Sequence, residues 1–314
     1  MNAEHSNWPL ILEIKGNSLD DGPGIRTVVF FKGCPLSCAW CHNPESRLPV
    51  QELSYDPKLC IGCDTCIDTC PEKAISRKNP YFVDRQACTL CRQCVQECPS
   101  GALSVVGRRM SAEEVVDAIL PDQPFFATSG GGVTLSGGEP AMYMGFTGEL
   151  AGQLHNHGIH VLLETCGYFR LDGFMELLYP HLDTIYYDIK LYHARLHAQY
   201  CGVDNRVILE NFRYLHHRTG RDGIILLPRV PLVPGITATE ENLRAIAQFL
   251  KEEDVPRVQL LPFNPLWPEK ELKVGRPSDF GEETQHASFM PPEEIERCEE
   301  IFSSMNITPV REAP

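Results

Sequence analysis

The sequence lacks long hydrophobic runs and is poor in positive charge, and each absence excludes a class of protein. No stretch approaches the roughly eighteen consecutive apolar residues of a membrane-spanning helix. The N-terminus has no secretory signal pattern, so we expect a cytoplasmic protein without a membrane segment. Lysine and arginine number 28 against 42 aspartate and glutamate residues, a formal net charge of −14, which argues against nucleic-acid binding.

Cysteine, in contrast, is abundant, with 14 residues in a chain of 314. In a short secreted chain this would suggest disulfides, but in a long chain without a signal it favours metal or redox use. At 43% hydrophobic and 22% charged residues, the chain can bury a core as one large domain or two.

Three cysteines lie in one loop directly after the apolar run 27–31. Cys34, Cys38 and Cys41 have the spacing C-x3-C-x2-C, and the loop contains no fourth cysteine. Three thiolates can bind three irons of a [4Fe–4S] cluster and leave one iron open, and an open metal position is where chemistry occurs. A zinc site is one alternative, although a structural zinc site requires four ligands. A disulfide is a weaker alternative.

A second cysteine-rich stretch, about residues 52–108, contains an internal duplication. Each copy reads C-x2-C-x2-C-x3-C-P, as in bacterial two-cluster ferredoxins, where the fourth cysteine of each run binds the other cluster. The predicted ligand sets are Cys60, Cys63, Cys66 and Cys98 for one cluster, and Cys88, Cys91, Cys94 and Cys70 for the other. A pair of zinc knuckles is the alternative. Clusters with four cysteine ligands carry electrons and bind no substrate.

Apolar runs alternate with helical patterns along the rest of the chain. The predicted strands are the run from Thr27 and residues 133–136, 159–163, 184–187, 224–227 and 258–261. Six β/α units imply a parallel sheet curved toward a barrel, with working residues at the carboxyl ends of the strands. Residues 1–16 are predicted only as a leader, 268–290 as irregular, and 292–303 as an acidic amphipathic helix. Capping boxes at Ser111 with Glu114 and at Thr237 with Glu240 predict two helix starts.

Polar residues collect at the predicted strand ends. They are Gly137, Gly138, Glu139, Pro140, Glu164, Thr165, Asp188, Lys190, Arg229 and Asn264. Each alone is an ordinary loop residue, but their equivalent positions predict one shared site. Three further cysteines, Cys166, Cys201 and Cys298, are interpreted as free thiols.

Taken together, these residues resemble the radical S-adenosylmethionine (SAM) superfamily, and within it the activating enzymes of glycyl radical enzymes. The loop from Cys34 to Cys41 matches the cluster motif, with Trp40 at the position that packs near adenine. Residues 137–140 match the motif that contacts the methionine amino group. The segments 20–27 and 32–35 resemble the activase signature, which implies that Asp21 meets the backbone of a partner's glycyl loop.

Other matches to the family are looser. Asp188 with Lys190 resembles its Asp-x-Lys pair, and Arg229 resembles a cofactor-contacting arginine. Glu164, Thr165 and Asp188 imply a monovalent cation, as in the pyruvate formate-lyase activase. Asn264 stands where that enzyme has a histidine; it can hydrogen-bond but cannot carry a proton.

The resemblance implies a partial (β/α)6 barrel of the radical SAM type over residues 1–51 and 109–314, with a ferredoxin-like insert at 52–108. It implies three [4Fe–4S] clusters and SAM, which is cleaved to a 5′-deoxyadenosyl radical that takes hydrogen from a backbone glycine of the partner. An external donor such as flavodoxin or ferredoxin would supply the electron, and we expect a monomer. The insert favours activases that serve dehydratases, decarboxylases and carbon–carbon lyases.

Two alternatives from other classes stay open at this point. One is a radical SAM enzyme that acts on a small molecule or on another peptide. The other is a non-enzymatic electron carrier, against which the open position in the C-x3-C-x2-C loop argues.

Overall fold

The structure is a computed structural model that describes residues 8–276, 286 and 288–311. Its strands are β1 (Leu10–Ser18), β2 (Arg26–Lys32), β3 (Glu52–Tyr55), β4 (Leu103–Val106), β5 (Arg108–Arg109), β6 (Gly132–Gly137), β7 (His160–Thr165), β8 (Thr184–Asp188), β9 (Ile225–Leu232), β10 (Arg257–Pro262) and β11 (Thr308–Val310). Its α-helices are α1 (Thr65–Thr69), α2 (Gln93–Gln96), α3 (Ala112–Ile119), α4 (Gln123–Ser129), α5 (Met144–Asn156), α6 (Leu171–Leu177), α7 (Ala194–Cys201), α8 (Arg206–Asp222), α9 (Glu240–Glu252), α10 (Pro268–Lys273) and α11 (Pro292–Ser303).

One large sheet organises the molecule, with the strand order β11-β10-β9-β8-β7-β6-β2-β1-β5. From β2 to β11 every neighbouring pair in this order is parallel, whereas β1 and β5 form an antiparallel edge. All six predicted parallel strands are therefore present and adjacent. The α/β fold with a mostly parallel sheet is confirmed.

Two strands of this sheet correct the sequence prediction. The first is β1, predicted only as a leader, which pairs antiparallel with β2 through contacts such as Ile14 with Val29. Most of β1 alternates between more buried and more exposed residues, as expected for an antiparallel strand with one solvated face. At the opposite edge, β11 pairs with β10 beyond the sixth predicted strand.

The helix predictions are confirmed in part. Ser111 and Glu114 form the predicted capping box of α3, and α11 spans the predicted residues. The second capping box is wrong, because α9 is capped by Thr239, while Thr237 donates to the carbonyl of Pro231. Part of the stretch predicted as irregular forms α10, and 277–285 and 287 of that stretch lie outside the described residues. Within the described chain, no helix is long and apolar enough to cross a membrane.

Residues 52–108 pack around a small core of their own. Strands β3 and β4 pair antiparallel in a separate two-stranded sheet. Leu53, Ile75 and Leu103 are buried together in this unit, and the rings of Tyr55 and Phe82 stack with centroids 4.0 Å apart. This stretch, called the insert below, is thus packed separately from the large sheet.

Candidate active site

The loop that carries Cys34, Cys38 and Cys41 follows β2 and is fixed by backbone hydrogen bonds on two sides. The amide of Gly33 donates to Ser46 O at 2.6 Å, which closes the loop on itself. The amides of Ser37 and Ala39 donate to the carbonyls of Cys201 and Tyr200 at the end of α7, each at 2.9 Å. These hydrogen bonds to Ser46 and to the end of α7 therefore fix the backbone positions of the three cysteines.

A glycine-rich turn after β6 lies directly against this cysteine loop. The amides of Gly138 and Glu139 donate to Phe31 O and Gly33 O, both at 2.8 Å. A Cβ at Gly138 would lie 2.2 Å from the Gly33 oxygen, and Gly137 has φ +101°. Only glycine permits this approach, so the two motifs found separately in the sequence form one surface.

The Glu139 carboxylate binds its own chain in the structure. It is fully buried, and it accepts hydrogen bonds from Ala141 N and Thr165 Oγ1 at 2.9 Å and from Cys166 N at 2.7 Å. Burial raises the pKa of Glu139, although the hydrogen bond from Cys166 opposes the rise. The side chain therefore joins the ends of β6 and β7.

Strand alternation places four polar side chains on one face of the sheet, from Ser136, Glu164, Asp188 and Arg229. For example, Glu164 lies two positions after Leu162, and Asp188 lies two positions after Tyr186, so each pair shares a face. Lys190, just after β8, joins them. We call Ser136, Glu164, Asp188, Lys190 and Arg229 the strand-end network. Arg229 donates to Glu164 at 2.5 Å and to Asp188 at 3.0 Å, Lys190 donates to Asp188 at 2.7 Å, and Ser136 donates to Glu164 at 2.5 Å.

The network contains two carboxylates and two cations in a mostly buried position. Burial would lower the pKa of Arg229 and of Lys190, but the neighbouring carboxylates raise both above their usual values. Burial would likewise raise the pKa of Asp188, but Arg229 and Lys190 hold it below its usual range. Lys190 also lies close enough to Cys38 for their charges to interact. The network is thus charge-balanced and adjoins the cysteine loop.

The remaining predicted site residues lie at different depths. Asp21 accepts a hydrogen bond from Ser18, and its carbonyl accepts one from Thr134 at 2.7 Å, two residues before Ser136 on β6. Trp40 is buried in the main core, and Pro140 is buried just after the glycine turn. Asn264 accepts from Leu266 N at 2.9 Å, so its side-chain oxygen is engaged within its own loop and not with the network.

The residues proposed for a monovalent cation have other partners. The Arg229 guanidinium lies between Glu164 and Asp188, and the Thr165 hydroxyl donates to Glu139. The cation therefore stays a prediction.

Two of the three cysteines interpreted as free thiols lie beside the cysteine loop. The thiol of Cys166 hydrogen-bonds Cys34, and the thiol of Cys201 hydrogen-bonds Cys38. The contact with Cys201 lowers the pKa of Cys38 to about 7 despite burial. Cys298 is buried elsewhere, against a cavity between α9 and α11. Cys166 and Cys201 lie more than a hundred residues after the cysteine loop in the sequence, so no motif spacing could have predicted these contacts.

In the insert, each predicted cysteine quartet lines one cavity. Cys70, Cys88, Cys91 and Cys94 line the first cavity, and Cys60, Cys63, Cys66 and Cys98 line the second. The crossed ligand sets therefore fit two iron–sulfur clusters. Within the described ranges no three Cys, His, Asp or Glu side chains are grouped to hold a single metal ion; a cubane instead takes one thiolate on each iron.

The duplication extends to the backbone of the insert. Asp64 and Arg92, at equivalent positions of the two copies, both have left-handed φ angles, +59° and +68°. In both copies the second cysteine is exposed and the third is buried. The two halves thus adopt the same local structure around their cavities.

Comparison with known proteins agrees with this geometry. A family profile described as the radical SAM superfamily matches residues 28–250. A trans-4-hydroxy-L-proline dehydratase activating enzyme of Clostridioides difficile is 39% identical over 95% of this chain and 97% of its own. An isethionate sulfite-lyase activating enzyme of Nitratidesulfovibrio vulgaris is 40% identical over 92% of this chain and 94% of its own.

Among solved structures, a radical SAM methyltransferase from Sphaerobacter thermophilus covers 96% of this chain and 77% of its own, with TM-score 0.53 and 15% identity. That likeness shows the fold alone. The profile and the relatives together show that the chain belongs to the radical SAM superfamily. Within it, the chain is an activating enzyme of glycyl radical enzymes: it cleaves SAM and generates a glycyl radical on a partner enzyme.

Proposed function

We propose that the cysteine loop and the strand-end network form one SAM site, and that the insert supplies its electrons. The observation that carries the proposal is the joining of the two motifs, because Gly138 and Glu139 hydrogen-bond the backbone on either side of Lys32. The cysteine loop, with Cys34, Cys38 and Cys41 as ligands, would then present its open iron beside the charged network.

The network suits the methionine end of SAM, which carries one carboxylate, one ammonium and a sulfonium. Lys190 and Arg229 offer donors to a carboxylate, while Asp188 and Glu164 can accept from cationic groups. Gly137 and Gly138 would contribute backbone groups to the same region, because their lack of side chains lets this turn pack directly against the backbone of Phe31 and Gly33. Glu139 would act indirectly by holding that turn. Trp40, Pro140 and Asn264 complete the proposed SAM surroundings.

The insert is proposed to be a ferredoxin-like domain with two [4Fe–4S] clusters, which brings the total to three. All eight of its cysteines line the two cavities, so both clusters are fully ligated and neither has a position for SAM. Electron transfer from an external ferredoxin or flavodoxin to the cysteine loop is the role that such closed clusters can fill. If the insert had only a structural or docking role, loss of one of its clusters would leave SAM cleavage with a protein donor intact.

The partner is proposed to belong to the glycyl radical dehydratases and lyases. The two relatives named above serve partners of this kind, and their identities of 39% and 40% are too similar to select one partner. The loop that contains Asp21 lies against β6, where Thr134 donates to its carbonyl. From there Asp21 would meet the partner's glycyl loop.

One experiment tests this function directly. Anaerobically reconstituted protein is mixed with SAM, a strong reductant and a candidate partner of the dehydratase or lyase type. We expect methionine, 5′-deoxyadenosine and a glycyl radical detected by electron paramagnetic resonance on the partner. The matched control is a partner whose radical glycine is replaced by alanine, which should give no signal. Consumption of a small molecule without a partner radical would favour the alternative class of radical SAM enzyme.

A further inference from the structure

One carboxylate connects the insert to the cysteine loop. Glu52 is the first residue of β3, and its Oε2 accepts from Lys32 Nζ at 2.5 Å. Its Oε1 accepts from Arg276 at 2.8 Å. Lys32 ends β2 and is separated from the first cluster cysteine only by Gly33. Glu52 is therefore shared by cations that come from before and after the insert in the chain.

The same two cations also bind the far end of the cysteine loop. Lys32 donates to Glu45 O at 2.5 Å, and Arg276 donates to Pro44 O at 2.6 Å. The entry to the cysteine loop, its exit and the first residue of the insert thus meet at Glu52.

Burial distinguishes this contact from two ion pairs that join the insert to α10, one of them the half-buried pair of Lys273 with Asp56. The Lys32 side chain is 0% exposed and that of Glu52 10%. Lys58 and Glu269 also connect the insert to α10, at 2.7 Å, but they are 69% and 61% exposed. An exposed pair contributes little to stability and can form in many geometries, whereas a buried pair is costly to break and tolerates few.

We propose that Glu52 is the positioning residue that fixes the insert relative to the cysteine loop, and that electron delivery to the loop depends on it. This inference rests on the proposed relay, because electron transfer falls steeply with distance and so requires a fixed geometry between donor and acceptor. Glu52 would act through its contacts with Lys32 and Arg276 and would touch no cofactor.

The test compares Glu52→Gln with Glu269→Gln in the full, reconstituted enzyme. SAM cleavage is measured twice for each variant, with reduced flavodoxin and with dithionite, which reaches the catalytic cluster directly. Glu52→Gln removes the buried ion pair, so the insert should no longer be held in a fixed geometry relative to the cysteine loop. We therefore expect flavodoxin-driven cleavage to fall at least about tenfold relative to dithionite-driven cleavage. The ratio of flavodoxin-driven to dithionite-driven cleavage should be unchanged in Glu269→Gln. It should be largely retained in Glu52→Asp, which keeps the carboxylate.

A second variant covers the case that Glu52→Gln folds poorly. Lys32→Met with Glu52→Met replaces the pair by apolar side chains and leaves neither of these charges buried. Its iron content should match the parent protein, while its flavodoxin-to-dithionite ratio should still fall, and magnetic coupling between the insert clusters and the catalytic cluster should weaken.

Two results separate this inference from the relay on which it rests. If Cys63→Ala and Cys91→Ala leave flavodoxin-driven cleavage intact, the relay itself is wrong. If those variants fail but Glu52→Gln and the double variant keep the parent ratio and coupling, the relay stands and the role of Glu52 is overturned.

Discussion

The cysteine loop and the insert both present groups of thiols, but their surroundings differ in kind. The loop adjoins a balanced set of buried charges, among them Lys190 and Asp188, and a backbone turn that only glycine permits. The insert cavities have apolar walls such as Leu53 and Phe82, and each holds a quartet of cysteines. The loop has three cysteines beside buried charged groups, whereas each insert cavity has four cysteines, and charged residues that line the cavities, such as Arg77 and Arg92, are exposed. This difference supports the proposal that SAM chemistry takes place at the first region and electron transfer at the second.

The largest expected effect comes from removing the thiols of the loop. Replacing Cys34, Cys38 and Cys41 by alanine should abolish SAM cleavage and remove one third of about twelve irons, as three four-iron clusters require. Iron and sulfide analysis of anaerobic protein measures this. Loss of all iron, or zinc in stoichiometric amount, contradicts the assignment of the loop.

Replacing a cysteine of the insert should slow the transfer of electrons to the cysteine loop without affecting the binding of SAM. Cys63 and Cys91 are exposed equivalents in the two copies, and each is replaced by alanine in turn. SAM binding should persist, and cleavage with a protein donor should fall sharply because a closed cluster is lost. Dithionite should restore much of the activity. Normal cleavage combined with failure to activate the partner would instead assign a docking role to the insert.

The charged network should affect affinity without affecting iron content. Lys190→Met removes a charge-assisted donor, which is worth about 1.5–3 kcal/mol, or roughly ten- to a hundredfold in SAM affinity. Anaerobic titration calorimetry measures the affinity, and Lys251→Met on the exposed end of α9 is the control. Equal affinities in the two variants would exclude Lys190 from the SAM site.

The smallest effect concerns pH. The pKa of Asp188 lies below its usual range, and the pKa values of Lys190 and Arg229 lie above theirs. All three groups therefore stay charged between about pH 5.5 and 7. The network itself should add no pH dependence to SAM binding, so the parent protein and Lys190→Met should show the same dependence of SAM affinity on pH across this interval. Different profiles, seen by calorimetry at several pH values, would mean that a group of the network titrates there.

The sequence predicted those features that depend on local spacing or period. The parallel strands follow from apolar runs, and the grouping of the insert cysteines around two cavities follows from the repeated cysteine pattern. What it missed depends on contacts between distant residues. Cys201 meets Cys38 only because α7 ends at the cysteine loop, and Glu52 meets Arg276 only after the segment that follows α10 has packed against the insert. The cap of α9 was misplaced because Thr237 and Thr239 are locally equivalent, and a bond from Thr237 to Pro231 decides between them.

The most direct test of the contrast between open and closed clusters is Mössbauer spectroscopy of the iron-enriched protein with and without SAM. If the cysteine loop holds the one open iron, SAM should change the spectrum of about one iron in twelve, and the change should vanish when Cys34, Cys38 and Cys41 are alanine. The insert clusters should be unaffected. A SAM-dependent change that persists in the triple variant, or no change in the parent protein, would contradict the account.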